Sequence, residues 1–417
     1  MEISGDEIAD VVLRRFDAWE SKRKPLKRTN GVREWVPLSG IVAQRQGSKS
    51  LTCLAIATGM KCLPQKSITR ANGVVLHDWH AEILAIRSFN RFLLEECHAL
   101  AVSQKKSSEY IRFRDGSERT ESHFQPFALR DGINIHMYCS EAPCGDASME
   151  LTMASQEDST PWAMPTATTP SSPPNQSQTP SPTTEPTSLH GRGYFSQLGV
   201  VRRKPSRPDA PPTLSKSCTD KIALKQSTSV LSSLTSLLIS PHNIYLHSLV
   251  LPSSQLSPVA ANRAFSPSGR LKPLSGRKWE GGYAFKPFRV ISTEKEFEYS
   301  RRQTGVKELV SSNISSSWTH HGSETIIGGT LQGRKQFDIK GASRVCKRRM
   351  WKLALDVSVL ASVPALERLL RVERYADVKG GGLLEGRRRV KEDVRGVLTG
   401  WMRNEGGEGF GIEGVER

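Results

Sequence analysis

The chain opens on apolar residues that recur every three or four positions, the spacing of an amphipathic helix. These positions are Ile8, Val11, Val12, Phe16 and Trp19. Ser4 precedes the first turn and Glu7 follows three residues later, a pattern that predicts a capping box. We therefore expect an opening helix that packs against the rest of the fold and carries no chemistry.

Continuous apolar runs next predict strands that are covered on both faces. The first strand is predicted within residues 35–43 and the second at 51–59, with a turn at 47–49 between them. Two later runs, 132–139 and 244–251, predict further strands. The turn residues Gly, Ser and Lys between the first two runs favour a short connection.

Helical spacing returns after His80 and Glu82, and helix starts are also predicted just after Cys144, at Cys218 and at Cys346. A shorter apolar stretch, 233–239, continues the helix that begins at Cys218. Strands and helices thus alternate, which predicts an α/β fold. In open sheets of this kind, functional groups lie at strand-to-helix junctions.

The composition shifts at two places along the chain. Residues 155–188 are mostly Ser, Thr, Pro and Gln, and they carry too little apolar surface to offset the entropy of ordering. We expect a disordered insertion there, and a flexible tail at 404–417. The length would allow two or three domains, but an α/β domain with inserted loops also reaches this size. We expect residues 1–417 to form a single domain.

The charge and the cysteines narrow the function classes. The 59 Lys and Arg against 42 Asp and Glu give a net charge of +17, which favours a polyanionic partner, nucleic acid first. A solvated basic surface would explain the charge equally well. The seven cysteines form no C-x-x-C pair, which excludes zinc fingers and thioredoxin-like motifs. No signal peptide or membrane-length apolar run occurs, so we expect a soluble protein of the cytoplasm and/or nucleus with free thiols.

The strongest chemical signal is His80-Ala81-Glu82 followed by Pro143-Cys144. An imidazole can bind zinc while a carboxylate two residues away moves protons to and from a water. A lone H-x-E occurs by chance roughly once in a chain of this size. An H-x-E completed downstream by P-C is the pattern of zinc-dependent base deaminases.

A zinc site with an open position needs a third protein ligand. The usual spacing would place it three residues after Cys144, but that position is Ala147. Cys218 follows the Ser/Thr/Pro segment at a predicted helix N-terminus, which favours the thiolate. Cys346 also opens a predicted helix, so the residues alone leave both cysteines as candidates.

Three separated segments, H-A-E at 80–82, P-C-G-D at 143–146 and S-C-T-D-K at 217–221, together resemble the adenosine deaminases that act on RNA. The likeness continues through 333–336 and 341–347 and covers nearly the whole chain. It implies a cytidine-deaminase-like three-layer α/β/α domain with a central mixed sheet and a C-terminal helical extension. It also implies a hydrolase of C–N bonds in cyclic amidines.

The resemblance also implies roles for individual residues. Zinc would be held by His80, Cys144 and Cys218, which favours Cys218 over Cys346, and Glu82 would be the catalytic residue. Trp79 and the run at 201–205 resemble the branch that converts adenosine 37 of eukaryotic alanine tRNA to inosine. About thirty residues precede the first predicted strand, too few for a double-stranded-RNA-binding module, which also favours that tRNA as the partner.

Members of this family carry a buried inositol hexakisphosphate. The positions that match its binding residues are Arg87, Lys221, Lys347, Tyr375, Lys379, Lys391 and Trp401. The match departs at Ile86, where editing enzymes have a second arginine, at 224–225, where Leu-Lys replaces Arg-Trp, and at His77, where asparagine is common. The glycine-rich stretch after Lys379 also changes the spacing to the last two positions.

The RNA backbone contacts are predicted at Lys61, Arg202, Arg203 and Lys204, although solvated loop charges would give the same pattern. Two other functions fit the motifs. The same fold could act on double-stranded RNA or a free nucleoside, or the chain could be a catalytically silent RNA-binding subunit with a structural zinc. The intact Glu82 argues against a silent subunit, because a structural site has no use for a proton shuttle.

Overall fold

The computed structural model describes residues 3–26, 31–161, 189–205, 210–302 and 308–414. The helices in these ranges are α1 (Gly5–Asp17), α2 (Ala81–Ser103), α3 (Met149–Ala154), α4 (Cys218–Thr228), α5 (Thr235–Leu238), α6 (Pro258–Phe265), α7 (Lys347–Leu360), α8 (Pro364–Leu370), α9 (Tyr375–Gly380) and α10 (Glu385–Val397). The strands are β1 (Val32–Trp35), β2 (Leu38–Arg45), β3 (Leu51–Thr58), β4 (Ile111–Phe113), β5 (Phe127–Leu129), β6 (Ile133–Cys139), β7 (Leu189–His190), β8 (Arg202–Arg203), β9 (Leu246–Pro252), β10 (Arg289–Thr293), β11 (Glu308–Ser311), β12 (Ser315–Thr319), β13 (Gly322–Ile327) and β14 (Thr330–Leu331).

The core of the fold is an eight-stranded mixed sheet in the order β10-β9-β6-β2-β3-β12-β13-β14. The pairs β10–β9 and β9–β6 are parallel, and the remaining neighbours are antiparallel. The central strands β2, β3 and β6 are buried along most of their length, as their continuous apolar runs predict. The predicted α/β fold with a central mixed sheet is confirmed.

Helices cover the two faces of the sheet. On one face, α1 packs Ile8, Val12 and Phe16 onto β2 and β3, and its N-terminus carries the predicted capping box between Ser4 and Glu7. On the other face lie α2, α4, α5 and α7 in one large apolar cluster. Each fully buried side chain of this kind contributes about 1.5–3 kcal/mol. The helices α7–α10 follow the last strand and form the C-terminal helical extension.

The structure divides the first predicted strand into two. Pro37 lies between β1 and β2, and a proline has no N–H to donate within a sheet. As a result β1 leaves the main sheet and pairs in parallel with β11. The predicted helix at 233–239 is also shorter, since α5 is a single turn.

Two predicted irregular segments are only partly described. Of the predicted insertion at 155–188, residues 155–161 lie in no helix or strand, and 162–188 lie outside the described residues. The expected flexible tail at 404–417 is described as far as residue 414. Within it Phe410 is buried and stacks on Tyr375, so this part of the chain packs against the domain. No helix in the described ranges has the length and apolar character needed to cross a membrane.

Candidate active site

The common direction of two strands brings the motif residues to one edge of the sheet. Strand β3 runs parallel to β6, because both pair antiparallel with β2 between them. Their carboxyl ends, Thr58 and Cys139, therefore lie at the same edge, where α/β folds keep their sites. The chain after β3 leads to His80, and the chain after β6 leads to Cys144.

His80 is the N-cap residue of α2, as its position before the helical spacing predicts. Its backbone N–H donates to Asp78 Oδ1 at 3.0 Å, and the next residue donates its N–H to the carbonyl of Gly59 at 2.8 Å. A Cβ at Gly59 would lie 2.1 Å from the carbonyl oxygen of Trp79, and its φ is +147°. Glycine is thus required for the helix to start against the end of β3.

Cys144 and Cys218 meet where α4 begins. Ser217 caps α4 by accepting the N–H of Asp220 at 3.1 Å, which confirms the predicted helix start. The backbone N–H of Cys218 points to Cys144 Sγ at 3.3 Å. A Cβ at Gly145 would lie 2.3 Å from Ser217 Oγ, so glycine permits this approach.

His80, Cys144 and Cys218 form a group of three potential metal ligands, which we call the donor cluster. Their ligand atoms all lie within 4.8 Å of one another, and Cys144 Sγ is 4.0 Å from His80 Nδ1. A second group, Cys62 with Asp78, shares His80 and satisfies the same distance limit. Cys346, the alternative third ligand, belongs to neither group and lies at the start of α7.

Asp78 is the electrostatic centre of this region. Its Oδ2 accepts hydrogen bonds from Lys204 Nζ and Ser215 Oγ, both at 2.8 Å, and it also pairs with Lys221. Asp78 is 2% exposed and Lys204 side chain 4%. Burial disfavours the carboxylate, but Lys204 and Lys221 hold the pKa of Asp78 well below its usual range. No local pattern of residues predicts this role for Asp78.

Glu82 lies in the first turn of α2 and is 5% exposed. Burial raises the pKa of Glu82, and the charge of Cys144 raises it further. A hydrogen bond with Cys218 lowers the pKa of Cys144 despite burial, with a contribution from Lys204, whereas burial raises the pKa of Cys218. Lys204 Nζ also donates to Cys218 Sγ at 3.2 Å. A carboxyl poised to exchange protons thus lies beside soft metal donors.

Two of the four predicted RNA contacts lie in the interior. Arg202 is 1% exposed, and its guanidinium donates hydrogen bonds to the carbonyls of Gly191 at 3.3 Å and Tyr194 at 2.9 Å. Lys204 is held by Asp78 and Cys218. A buried charge must be paired, and both cations find their partners inside the protein. They therefore stabilise the framework of the site and do not face solvent.

The other two predicted contacts lie nearer the surface. Arg203 is partly buried on β8, and Lys61 is hydrogen-bonded to Asn313. Sequence reasoning missed Arg192, whose Nη1 donates to Ser148 Oγ at 3.3 Å while its buried Nε has no hydrogen-bond partner among the described residues. Ser148 follows Cys144 by four residues, so its contact with Arg192 brings this guanidinium next to the donor cluster.

A second concentration of charge lies beneath α2. We call it the basic cluster, and its members are Arg87, Lys216, Lys221, Lys225, Lys347, Lys379, Lys391 and Arg395. Burial, with a further contribution from neighbouring cations, lowers the pKa of Lys216 to about 7 and that of Lys347 to about 8. Burial together with other cations also puts the pKa of Lys225 and of Lys391 well below the usual range. The cations therefore repel one another.

The predicted phosphate-binding positions lie in or beside this cluster. Lys347 Nζ donates to the carbonyl of Gly407 at 3.1 Å, and Lys379 pairs with Glu408. Tyr375 stacks on Phe410, and Trp401 lies under the ammonium of Lys216 at 5.8 Å. Sequence reasoning missed Lys216 and Arg395, and it took Lys225 as a departure although the structure places Lys225 among the cations.

Residues 55–393 match the model of the adenosine-deaminase (editase) domain. The chain belongs to this family. It is 37% identical over 412 residues to tRNA-specific adenosine deaminase 1 of Schizosaccharomyces pombe, with 97% of this chain and 96% of that protein covered.

Two further relatives are more distant. The tRNA-specific adenosine deaminase 1 of Saccharomyces cerevisiae is 33% identical over 60% of this chain and 58% of its own. The double-stranded RNA-specific editase Adar of Drosophila melanogaster is 27% identical over 60% of this chain and 34% of its own. The family that the motifs predict is confirmed.

Proposed function

We propose that this protein deaminates adenosine to inosine in tRNA, at the adenosine 37 beside the anticodon of alanine tRNA. The observation that carries the proposal is the likeness to the Schizosaccharomyces pombe protein over almost the full length of both chains. The net charge of +17 suits a polyanionic substrate. The likeness to the Drosophila editase is weaker and covers about a third of that protein, so duplex RNA is the second candidate substrate.

The donor cluster fits zinc by its chemistry. One imidazole and two thiols on neighbouring elements match the three protein ligands of a catalytic zinc site, and soft sulfur donors select zinc over harder ions. Held by His80, Cys144 and Cys218, zinc would supply a Lewis acid that brings the pKa of a bound water toward neutrality. The rival group is poorer, because Asp78 is already paired with Lys204 and Lys221.

Glu82 moves the protons of the reaction. Burial raises its pKa, which makes the carboxylate a better base for the proton of the attacking water, and the resulting acid can then give that proton up. The protons pass to the purine ring and to the departing amine, so that adenosine and water give inosine and ammonia. Lys204 and Asp78 orient the thiol of Cys218 and the backbone of His80, respectively, and hold both in place.

The substrate base must leave its stack to reach this buried carboxyl. An unpaired nucleotide of an anticodon loop does so at lower free-energy cost than a base in a duplex. Lys61 and Arg203 remain the candidates for holding the backbone of the loop, since Arg202 and Lys204 are buried. Arg192, whose Nη1 donates to Ser148 and whose Nε is buried, supports the site from within the fold.

The test incubates the purified chain with alanine tRNA and, separately, with a long RNA duplex, and locates inosine by sequencing. Glu82→Ala, assayed for bound zinc, is the control. We expect inosine beside the anticodon with the unchanged protein alone. Inosine in the duplex would assign the chain to the second candidate substrate, and no inosine in either RNA with zinc present would support a silent RNA-binding subunit.

We also propose that the basic cluster binds inositol hexakisphosphate. The cluster gathers eight cations, and the carboxylates paired with them are Asp78 and Glu408. A ligand with many phosphates would convert the mutual repulsion into attraction. The test denatures the purified protein and measures released inositol phosphate by mass spectrometry, and the absence of any polyphosphate would contradict the proposal.

A further inference from the structure

A third group of potential metal ligands lies far from the donor cluster. Thr319 pairs with Gly322, so His320 and His321 form the two-residue turn between β12 and β13. Glu96 faces them from the C-terminal half of α2. Glu96 follows Glu82 by fourteen residues on the same helix, which is about 21 Å at 1.5 Å per residue.

The three side chains converge on one point. His321 Nε2 is 3.3 Å from Glu96 Oε1, and His320 Nε2 is 3.6 Å from the same oxygen. The two imidazole centroids are 3.8 Å apart, and all three ligand atoms lie within 4.8 Å of one another. Two nitrogens and one carboxylate oxygen are a common ligand set for divalent transition metals.

Neighbouring groups hold the three ligands in this arrangement. Ser108 Oγ donates to the second oxygen of Glu96 at 2.9 Å, which leaves Oε1 directed at the histidines. The ring of Phe92 contacts both imidazoles, with centroids 5.0 Å and 6.0 Å away. Such support is typical of residues around metal ligands, because it fixes the orientation of each donor atom.

An ordinary ion pair explains this geometry less well. One protonated histidine would satisfy Glu96, and a second protonated ring 3.8 Å from the first would be repelled. A divalent cation between the three groups would replace the hydrogen bond between His321 and Glu96 and take all three facing atoms as ligands.

We propose that Glu96, His320 and His321 form a second metal site that takes a divalent transition ion, zinc first. The ion joins the β12–β13 turn to α2. Because β12 pairs with β3, and β3 leads to the start of α2, this link closes a circuit of elements around one side of the sheet. The role is structural, since the ligands are remote from Glu82.

The test counts metal ions in the full chain and identifies their ligands. After mild chelation and reloading with Co²⁺, we expect about two ions per chain in the unchanged protein and about one in the His320→Asn/His321→Asn variant. The donor cluster would give a thiolate-to-cobalt charge-transfer band in both, whereas the second ion has no sulfur ligand and adds none. His242→Asn, at another exposed histidine, is the matched control and should keep both ions.

Each outcome bears on a separate proposal. Loss of one ion with an intact thiolate band supports the second site, and retention of both ions in the variant overturns it. One ion in the unchanged protein with a thiolate band also overturns it, while the absence of that band speaks against the donor cluster instead. Should the double variant fail to fold, Glu96→Gln, which keeps the shape of the side chain, must lower the affinity of the sulfur-free ion at least about tenfold.

Discussion

The donor cluster and the basic cluster each take one residue from the first turns of α2, His80 at its N-cap and Arg87 within it, yet they handle charge in opposite ways. Beside the donor cluster, the carboxylate of Asp78 is paired with two lysines and accepts a hydrogen bond from a hydroxyl. In the basic cluster, lysines and arginines from several helices surround one another, and burial and mutual repulsion lower the pKa values of four of them, Lys216, Lys225, Lys347 and Lys391.

The difference shows what each region requires from outside. A buried charge that the chain itself pairs belongs to a framework, whereas a set of like charges brought together in the interior costs free energy unless a ligand of opposite charge is bound. Lys221 belongs to both regions, since it pairs with Asp78 and raises the positive potential at Lys216. The two regions are therefore coupled through one side chain.

The largest expected effect separates the reaction from the framework. In Glu82→Gln we expect kcat to fall by about 10³-fold, because a positioned proton-transfer group contributes about 10²–10⁴-fold. Zinc content should be unchanged, and the melting temperature should not fall, because the amide removes a buried ionisable group. Single-turnover inosine formation, metal analysis and a thermal melt measure the three quantities. Loss of zinc together with activity would assign Glu82 to the framework.

Asp78→Asn tests the coupling between the two regions. It leaves Lys204 buried without a carboxylate and removes one partner of Lys221, so the free energy of unfolding should fall by about 3 kcal/mol. Urea denaturation measures this change. Asp377→Asn, which breaks an exposed pair with Arg374, is the control and should change stability by less than about 1 kcal/mol. Equal effects in the two variants would contradict the central role of Asp78.

The basic cluster should make stability depend on alkaline pH. The pKa of Lys347 is lowered from 10.5 to about 8, so between these values the unfolded chain binds a proton that the folded chain does not. Stability of protein freed of polyphosphate should then rise with pH, by about 2 kcal/mol from pH 8 to 10. Added inositol hexakisphosphate, by keeping the ammonium charged, should abolish the rise. The measurement is the urea midpoint of unfolding between pH 8 and 10. A midpoint that does not change with pH in the absence of ligand would contradict the repulsion among the cations of the basic cluster.

The smallest expected effect changes sign with the ligand. Lys391→Met removes one repelled cation, so without polyphosphate it should stabilise the protein by about 1 kcal/mol, and with inositol hexakisphosphate it should destabilise it by a similar amount. Arg389→Met, on the exposed side of the same helix, is the control and should respond to neither condition. The same sign of change in Lys391→Met under both conditions would argue against phosphate binding there.

The sequence patterns predicted the elements that carry the chemistry. The spacing after His80 located α2, Ser217 located the start of α4, and the apolar runs located β3, β6 and β9. These predictions depend on local physics, namely helical periodicity, capping and continuous apolar runs. The third ligand was harder, because the residues left Cys218 and Cys346 open until the family likeness was used.

Burial and long-range pairing could not be predicted in the same way. Arg202 and Lys204 stand in a basic run that resembles a surface loop, yet both are buried because they meet partners elsewhere in the chain. Asp78 lies just before the motif at His80, but its three hydrogen-bond partners follow it by more than a hundred residues, so no local pattern indicates its role. Contacts of this kind depend on the topology of the fold, and a local sequence pattern carries no information about that topology.

The contacts of Gly407 and Phe410 with Lys347 and Tyr375 have a consequence for biosynthesis. Both Gly407 and Phe410 follow every member of the basic cluster in the chain, so a ribosome completes the wall of that cluster only after all of its cations have been synthesised. The ligands of the donor cluster are all synthesised by Cys218, about halfway along the chain. Under the proposal that the basic cluster binds inositol hexakisphosphate, the ligand would be enclosed only at this late step of synthesis, well after the donor cluster is complete in the chain.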